Sequence, residues 1–385
     1  MKILFINNSL FAIGGVNRVL TCIASELSKK HDVTIMTYEK KEEENRALYG
    51  LSSNVQIING FVYKKGFLRR ALHKINQTTN LIRWIGSDGL YDWIYTPYSL
   101  QEHWIKAINQ GQYDVVCAVQ AHNAIILGKI RERISCKTYG WQHNSYEAYL
   151  ETKGMYYYNQ DSLFEKYIGK LNRYIVLNEH DEEMYRKKKG IDTTTIYNPK
   201  SFVSEKKSQL TSRKFIACGG LRKAKGFDLL VDSFEKFSMK NKDWIVCIWG
   251  AGPDEKKLRS SIKAKGLEDR LKLMGVTDNI ANEMIDSSAL LLSSRWEGMP
   301  MVVLEALECG LPIISYDITA IKPLVTDGVE GRVVPAFDTK KFADSMLEIA
   351  NSEEKRKIYA QNGVKKSSTF TKEEICKKWD SLFNG

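Results

Sequence analysis

Short apolar runs alternate along the chain with longer stretches in which apolar residues recur every three or four positions. The first run, Ile3-Leu4-Phe5-Ile6, leads to the Gly14-Gly15 turn, an amphipathic stretch from Val16 to Lys30, and a second run from Asp32 to Thr37. A run apolar on both faces fits a strand inside a parallel sheet, and a stretch with a 3.6-residue period fits its crossover helix. Strand, helix, strand is the opening expected of a doubly wound sheet. Further strands are expected at 55–58, 92–96, 114–119, 137–141 and 174–177. Asn198-Pro199 closes this region, and the polar residues 201–213 read as a linker.

The pattern then starts again. Strands are expected at Lys214–Cys218, Trp244–Trp249, 271–274 and Ala289–Leu292, with helices at Phe227–Lys240 and Ile280–Ser287. Pro300 suits the first turn of a helix from Met301 to Cys309, which Gly310 stops before a strand over Leu311–Ser315. Helices over Lys340–Ala350 and Glu353–Ser368 precede a last one ending at Phe383. Thr371 and Glu374 form its capping box, and Ile375, Trp379 and Leu382 its buried stripe. A chain of 385 residues is too long for one core. The prediction is an α/β protein with two doubly wound, Rossmann-like domains, residues 1–200 and 201–369, followed by a helix over 370–385.

Composition narrows the partners. No apolar run approaches the roughly 20 residues needed to cross a membrane. Seven scattered cysteines without a C-x-x-C read as reduced core thiols in a cytoplasmic protein. A net charge of +11 suits phosphorylated substrates or anionic lipid, and no nucleic-acid module is present. Residues 45–87 hold seven basic residues and no acid. Within them, apolar positions 67, 68, 71, 72, 75, 82 and 85 follow helical spacing, while Arg69, Arg70, His73 and Lys74 occupy another face. Residues 64–85 thus resemble a basic helix lying on an anionic membrane. An ordinary surface helix packed on the sheet accounts for the same spacing.

Two loops carry candidate chemistry. Glu297, in Glu297-Gly298-Met299-Pro300, follows an apolar strand, at the end where open α/β sheets bind ligands. Glu305 lies one turn into the next helix and is suited to accept from a pair of sugar hydroxyls. The second loop, Gly219-Gly220-Leu221-Arg222-Lys223-Ala224-Lys225-Gly226, joins a strand to a helix. Its glycines let backbone approach a diphosphate, and its cations neutralise the charge. Gly250 lies in a weaker turn of the same kind, and Gly14-Gly15 with Arg18 forms a similar phosphate- or sugar-binding turn in the first domain. Neither half has G-x-G-x-x-G, which disfavours a nicotinamide oxidoreductase.

Glu297 through Glu305-Ala306 to Gly310-Leu311-Pro312 resembles the E-x7-E signature of retaining glycosyltransferases of family 4, and the likeness extends unevenly over nearly the whole chain. That family has the GT-B fold, two domains across a cleft, with the last helix crossing back onto the first. The resemblance implies a nucleotide-sugar domain in the second half and an acceptor domain in the first. It gives Glu297 to the donor sugar, Glu305 to the ribose, and the N–H groups from Met299 to Val302 to the sugar hydroxyls. Val276 and Thr277 match the segment that touches the base, and His143 the histidine near the reacting carbon. Lys225-Gly226-Phe227 matches the family's K-G-F, whereas Gly220 stands where the family has Arg, with Arg222 two residues on as the substitute.

The expected catalytic set is Glu297, His143 and Lys225. No cofactor is expected, and the missing Asp-x-Asp argues against a metal-clamped donor. The expected activity is transfer, with retention, of a sugar from a UDP-linked donor to a growing lipid-linked glycan of the lipopolysaccharide or capsule kind, at the inner face of the membrane. A sugar-nucleotide hydrolase or epimerase on the same architecture, and a non-catalytic sugar-nucleotide-binding partner, are the alternatives.

Overall fold

The computed structural model describes residues 1–59, 66–85 and 88–385, and the chain divides into two compact units. The first comprises Met1–Pro199 with Lys372–Gly385, the second Lys200–Thr371.

The first unit is built on seven parallel strands. They are β1 (Lys2–Ile6), β2 (Asp32–Thr37), β3 (Gln56–Asn59), β4 (Val115–Val119), β5 (Lys137–Trp141), β6 (Arg173–Val176) and β7 (Thr193–Thr195). Their order is β3-β2-β1-β4-β5-β6-β7, so the winding reverses between β1 and β4, where Phe5 pairs with Cys117. Ile3 to Ile6 and Val115 to Val119 are completely buried, which accounts for their unbroken apolar sequence. The C-terminal helix Lys372–Asn384 belongs to this unit. Trp379 packs against Trp141 at 4.8 Å between ring centroids, and Lys137 Nζ donates to the Phe383 carbonyl at 3.1 Å. Its buried residues are Ile375, Cys376, Trp379 and Phe383; Leu382 is only half-buried, one position away from the stripe the sequence suggests.

The second unit has six parallel strands, β8 (Lys214–Cys218), β9 (Ile245–Trp249), β10 (Leu271–Gly275), β11 (Ala289–Leu292), β12 (Ile313–Tyr316) and β13 (Gly331–Val334). They run β10-β9-β8-β11-β12-β13 and reverse between β8 and β11. Residues 201–213 are bonded into this unit: Ser208 Oγ donates to the Ser287 carbonyl, and Leu210 is buried. The buried carboxylate of Glu308 accepts from Lys200 Nζ at 2.5 Å, Lys207 Nζ at 2.6 Å and Ser367 Oγ at 3.0 Å. Burial alone would raise its pKa; these donors and the Ser204 N–H outweigh that and hold it at about 2.

One expected strand is a helix. Residues 92–96 fall at the end of the helix Asp88–Tyr95. The β-prone Tyr91, Ile94 and Tyr95 are buried at helical spacing, i, i+3 and i+4, and packing overrides their propensity. Among the described residues no helix is long and apolar enough to cross a membrane.

Candidate functional site

Four loops leave the carboxyl ends of β8, β9, β10 and β11 and are bonded to one another through backbone. Gly219 N–H donates to the Trp249 carbonyl at 2.9 Å, Gly250 N–H to Gly275 at 2.7 Å, and Leu221 N–H to Ala251 at 3.0 Å. Gly250 has φ +145°, and a Cβ there would lie 1.9 Å from the Gly219 carbonyl oxygen. Gly226 has φ +61° and would place a Cβ 2.0 Å from the Ser293 carbonyl oxygen. Only glycine fits such contacts, so the loops close on one another as the glycine pattern implied.

The loops after β8 and β11 flank the point of reversal, where open α/β sheets bind ligands. Lys225 Nζ donates to Glu297 Oε1 at 2.6 Å, and Ser294 Oγ donates to the same oxygen at 2.6 Å. Ser293 Oγ donates to the Lys225 carbonyl at 2.9 Å. Arg295 forks onto both Asp228 oxygens at 2.7 Å and also holds the Lys223 carbonyl at 2.9 Å. Its guanidinium keeps the Asp228 carboxyl below the usual carboxylate range. The loop that carries the cation is therefore tied to the loop that carries the acid.

Glu305 is buried in the helix Met301–Glu308 and accepts from Ser201 Oγ. Burial raises the Cys218 thiol pKa, the Glu305 charge adds to this and the Lys225 charge opposes it, which places both groups around the end of β8. Arg222 is exposed, with its Nε 3.8 Å from where a side chain at Gly220 would begin. Gly298, Met299 and Pro300 are buried, and Met301 and Val302 partly so. Val276 is exposed, and Thr277 Oγ1 accepts from the Asn279 N–H at 3.1 Å, shaping the turn into the next helix.

The first unit has its own site at the corresponding end of its sheet. A cavity of about 430 Å³ is lined by His73, His122, His143, Tyr95, Tyr149 and Tyr157, among others. Among the described residues, its lining includes no Lys, Arg, Asp or Glu. Gln120, also in the lining, joins β4 to the next helix with φ +72°, a strained conformation for a residue with a side chain. The Tyr157 hydroxyl accepts from the His122 N–H at 3.0 Å. His143 lies against Trp141 at 4.3 Å, and its Nε2 is buried with no hydrogen-bond partner among the described residues. Burial lowers its pKa to about 3, so the imidazole is neutral at physiological pH. Behind it, the buried Asp181 accepts from Gln142 Nε2 at 3.1 Å and the Tyr146 N–H at 3.0 Å. Burial raises the Asp181 carboxyl pKa to about 7.

Val16 lines the same cavity, directly after the Gly14-Gly15 turn. Gly14 N–H donates to the Tyr49 hydroxyl at 2.8 Å, and the Arg18 guanidinium lies 5.3 Å above that ring. The preceding loop is held by Glu39, which accepts from Ser9 Oγ and the Leu10 N–H, each at 2.6 Å. Among the described residues, no group of three or more His, Cys, Asp or Glu side chains is placed to hold a metal ion.

The sequence reading missed His122, Asp181, Ser294 and Glu39, and placed His73 only on the basic face of its helix. His122 was within reach, because Gln120-Ala121-His122 directly follows a strand it had located. Ser294 stands three residues before Glu297 in the same loop, whereas Asp181 and Glu39 come from segments remote in sequence, without a motif.

Residues 200–366 match the family model described as glycosyl transferases group 1. The second unit carries a group 1 glycosyl transferase domain. An exopolysaccharide phosphotransferase of Streptomyces coelicolor is 29% identical over 179 residues, 46% of this chain and 19% of that protein. An uncharacterized glycosyltransferase of Haemophilus influenzae is 23% identical over 303 residues, 74% of this chain and 82% of that one. The lipopolysaccharide core biosynthesis mannosyltransferase LpsB of Rhizobium meliloti is 30% identical over 189 residues, 46% of this chain and 54% of that one. Two of these three matches therefore span less than two thirds of the relative's length. TarM of S. aureus, solved with fondaparinux, alpha-GlcNAc-glycerol and UDP, aligns over 100% of both chains with a TM-score of 0.79 at 14% identity. That likeness establishes the fold, which is GT-B.

Proposed function

We propose that the protein is a retaining, metal-independent glycosyltransferase that moves a sugar from a UDP-linked donor to a growing lipid-linked cell-surface glycan. On this reading it works as a peripheral protein at the inner face of the cell membrane. The observation that carries the proposal is the Lys225–Glu297 pair joining the two loops at the reversal of the second sheet. The group 1 domain over 200–366 and relatives named for polysaccharide and lipopolysaccharide synthesis support it.

The donor diphosphate takes Lys225 from Glu297, with Arg222 and the glycine loops at 219–220 and 250 sharing its charge. Glu297 is then released to the sugar hydroxyls, which the N–H groups from Met299 to Val302 also meet. Glu305 holds the ribose, and Val276 and Thr277 face the base. In the first unit Gly14, Gly15 and Arg18 serve the donor, and neutral His143 serves the reacting sugar. The acceptor oxygen bonds to the anomeric carbon on the face the phosphate leaves, the carbon–phosphate oxygen bond breaks, and the acceptor proton passes to the leaving phosphate. Charge fixed in advance by Lys225 stabilises that departure.

The test is nucleotide release from a panel of nucleotide sugars supplied with membrane acceptors, together with calorimetric UDP binding. We expect UDP release that requires acceptor, turnover lost in Glu297→Ala with binding kept, and binding weakened in Glu305→Ala. No release from any donor, together with unchanged binding in Glu305→Ala, would overturn the proposal.

A further inference from the structure

The helix Phe67–Thr79 and the short helix Leu81–Trp84 in the first unit are packed the reverse of an ordinary surface helix. The buried residues of the longer helix are polar: Arg69, Asn76 and Gln77. Asn76 Nδ2 donates to the Tyr95 hydroxyl at 3.0 Å, Gln77 Nε2 to the Tyr156 carbonyl at 3.0 Å, and Asn159 Nδ2 to the Asn76 carbonyl at 3.2 Å. Asn76 is completely buried, and Arg69 is buried with its guanidinium 4.4 Å above the Trp93 ring. Most of their large apolar residues face outward: Phe67 is 81% exposed, Trp84 89%, Leu68 62% and Ile85 60%, with Ile75 and Leu81 also exposed, while Ile82 is buried and Leu72 packs on the core. The apolar positions identified in the sequence are thus real, but most of them are turned away from the sheet. Lys64 and Lys65, the start of the 64–85 segment, lie outside the described residues.

A polar seam inward and a row of large apolar groups outward is stable in water only at a cost, and it marks an interaction surface. The charge around it selects the partner. Arg70 and Lys74 are exposed on the same helix, and residues 45–87 contain no acid. Exposed Trp and Phe beside these cations suit the headgroup region of an anionic bilayer. The same helix contributes His73 to the 430 Å³ cavity, where its ring meets Tyr95 edge-on at 5.2 Å.

We propose that this outward face seats on an anionic bilayer and that the cavity walled by His73 receives the saccharide end of an acceptor whose lipid stays in that bilayer. This rests on the acceptor reading given under Proposed function. One helix then binds the membrane on its outer face and the acceptor on its inner face, so transfer from the bilayer needs both faces.

The experiment is flotation of the full chain with vesicles of phosphatidylcholine, with and without phosphatidylglycerol. We expect capture by the anionic vesicles only. The double variant Phe67→Ser, Trp84→Ser should lower the bound fraction on the order of tenfold, since each ring removed from the interface forfeits its apolar burial. UDP binding, measured in parallel, should not change. No flotation, equal capture by neutral vesicles, or unchanged capture of the variant overturns the membrane seat, as does a dimer in sedimentation that the variant abolishes. His73→Ala should keep flotation and lose transfer to a lipid-linked acceptor; retained transfer overturns the coupling. If no donor is turned over while flotation behaves as expected, the transferase reading fails and the membrane seat stands.

Discussion

The two sheets end in different materials. Beyond β8 and β11 the site is made of charge and glycine: Lys225 on Glu297, Arg295 on Asp228, and backbone in close contact with backbone at Gly226 and Gly250. Beyond β4 and β5 it is made of rings and amides, with no Lys, Arg, Asp or Glu among the described residues of the cavity lining. A buried acid in each unit repeats the contrast. Glu308 has two lysines and titrates at about 2, whereas Asp181 has a backbone N–H and amides and titrates at about 7. A diphosphate rewards fixed charge in a site of low dielectric, and a neutral saccharide rewards ring faces and uncharged hydrogen-bonding groups. One fold, used twice, therefore presents opposite electrostatics to two halves of one proposed reaction.

Removing the charge should do most. Lys225→Ala should lower kcat on the order of 10²–10³-fold, the scale of one preorganised donor at a developing charge. Steady-state UDP release measures it, and a loss under fivefold would break the contrast, because the second site would then not work through charge. Next comes the acid with cations. Glu308→Ala should destabilise by about 3–5 kcal/mol, because it strands the buried Lys200. Its folded pKa is depressed, so its stabilisation is complete above the usual glutamate range and is lost as pH falls toward 2. Urea midpoints at pH 7 and pH 3 should therefore converge for parent and variant. Third, the glycines separate the sites. Gly226→Ala should cost about 1–3 kcal/mol through its left-handed backbone and its clash with Ser293. Gly14→Ala, at φ 175° with open space around the added Cβ, should stay within about 0.5 kcal/mol. Thermal melts of the two variants test that difference.

The charged site was the more legible of the two for a physical reason. Its parts lie in two loops, each of which follows its own apolar strand directly, so Lys225 and Glu297 announce themselves locally although 72 positions separate them. The neutral cavity draws His73, His122, His143 and Tyr157 from four segments, and a ring in a wall has the same local sequence as a ring in a core. The strands read well where burial on both faces made them unbroken apolar runs. They failed at 92–96, where aromatic residues served a helix, and at β7 and β13, where Thr193–Thr195 and Gly331–Val334 are short and partly exposed. Periodicity located the helix at 67–79 but could not tell its faces apart, because which face is buried depends on partners at Tyr95 and Asn159.

A buried acid tests the first unit's side of the contrast most directly. Asp181 is raised to about 7 by burial, against an ordinary value near 4. Between those limits the folded chain holds a proton that the unfolded chain has released. The contribution of this group to stability is therefore fully present below about pH 4 and falls as pH rises to 7, by at most about 1.4 kcal/mol per pH unit. Asp181→Asn removes the titration while keeping an oxygen for the Tyr146 N–H. Relative to the parent, the variant should gain stability between pH 5 and pH 7, in the opposite direction to the acid-side loss at Glu308. Urea midpoints at those two pH values decide it. A parent-to-variant difference that stays flat would mean that Asp181 is already charged in the fold, and that the wall behind His143 is more polar than its neutral lining implies.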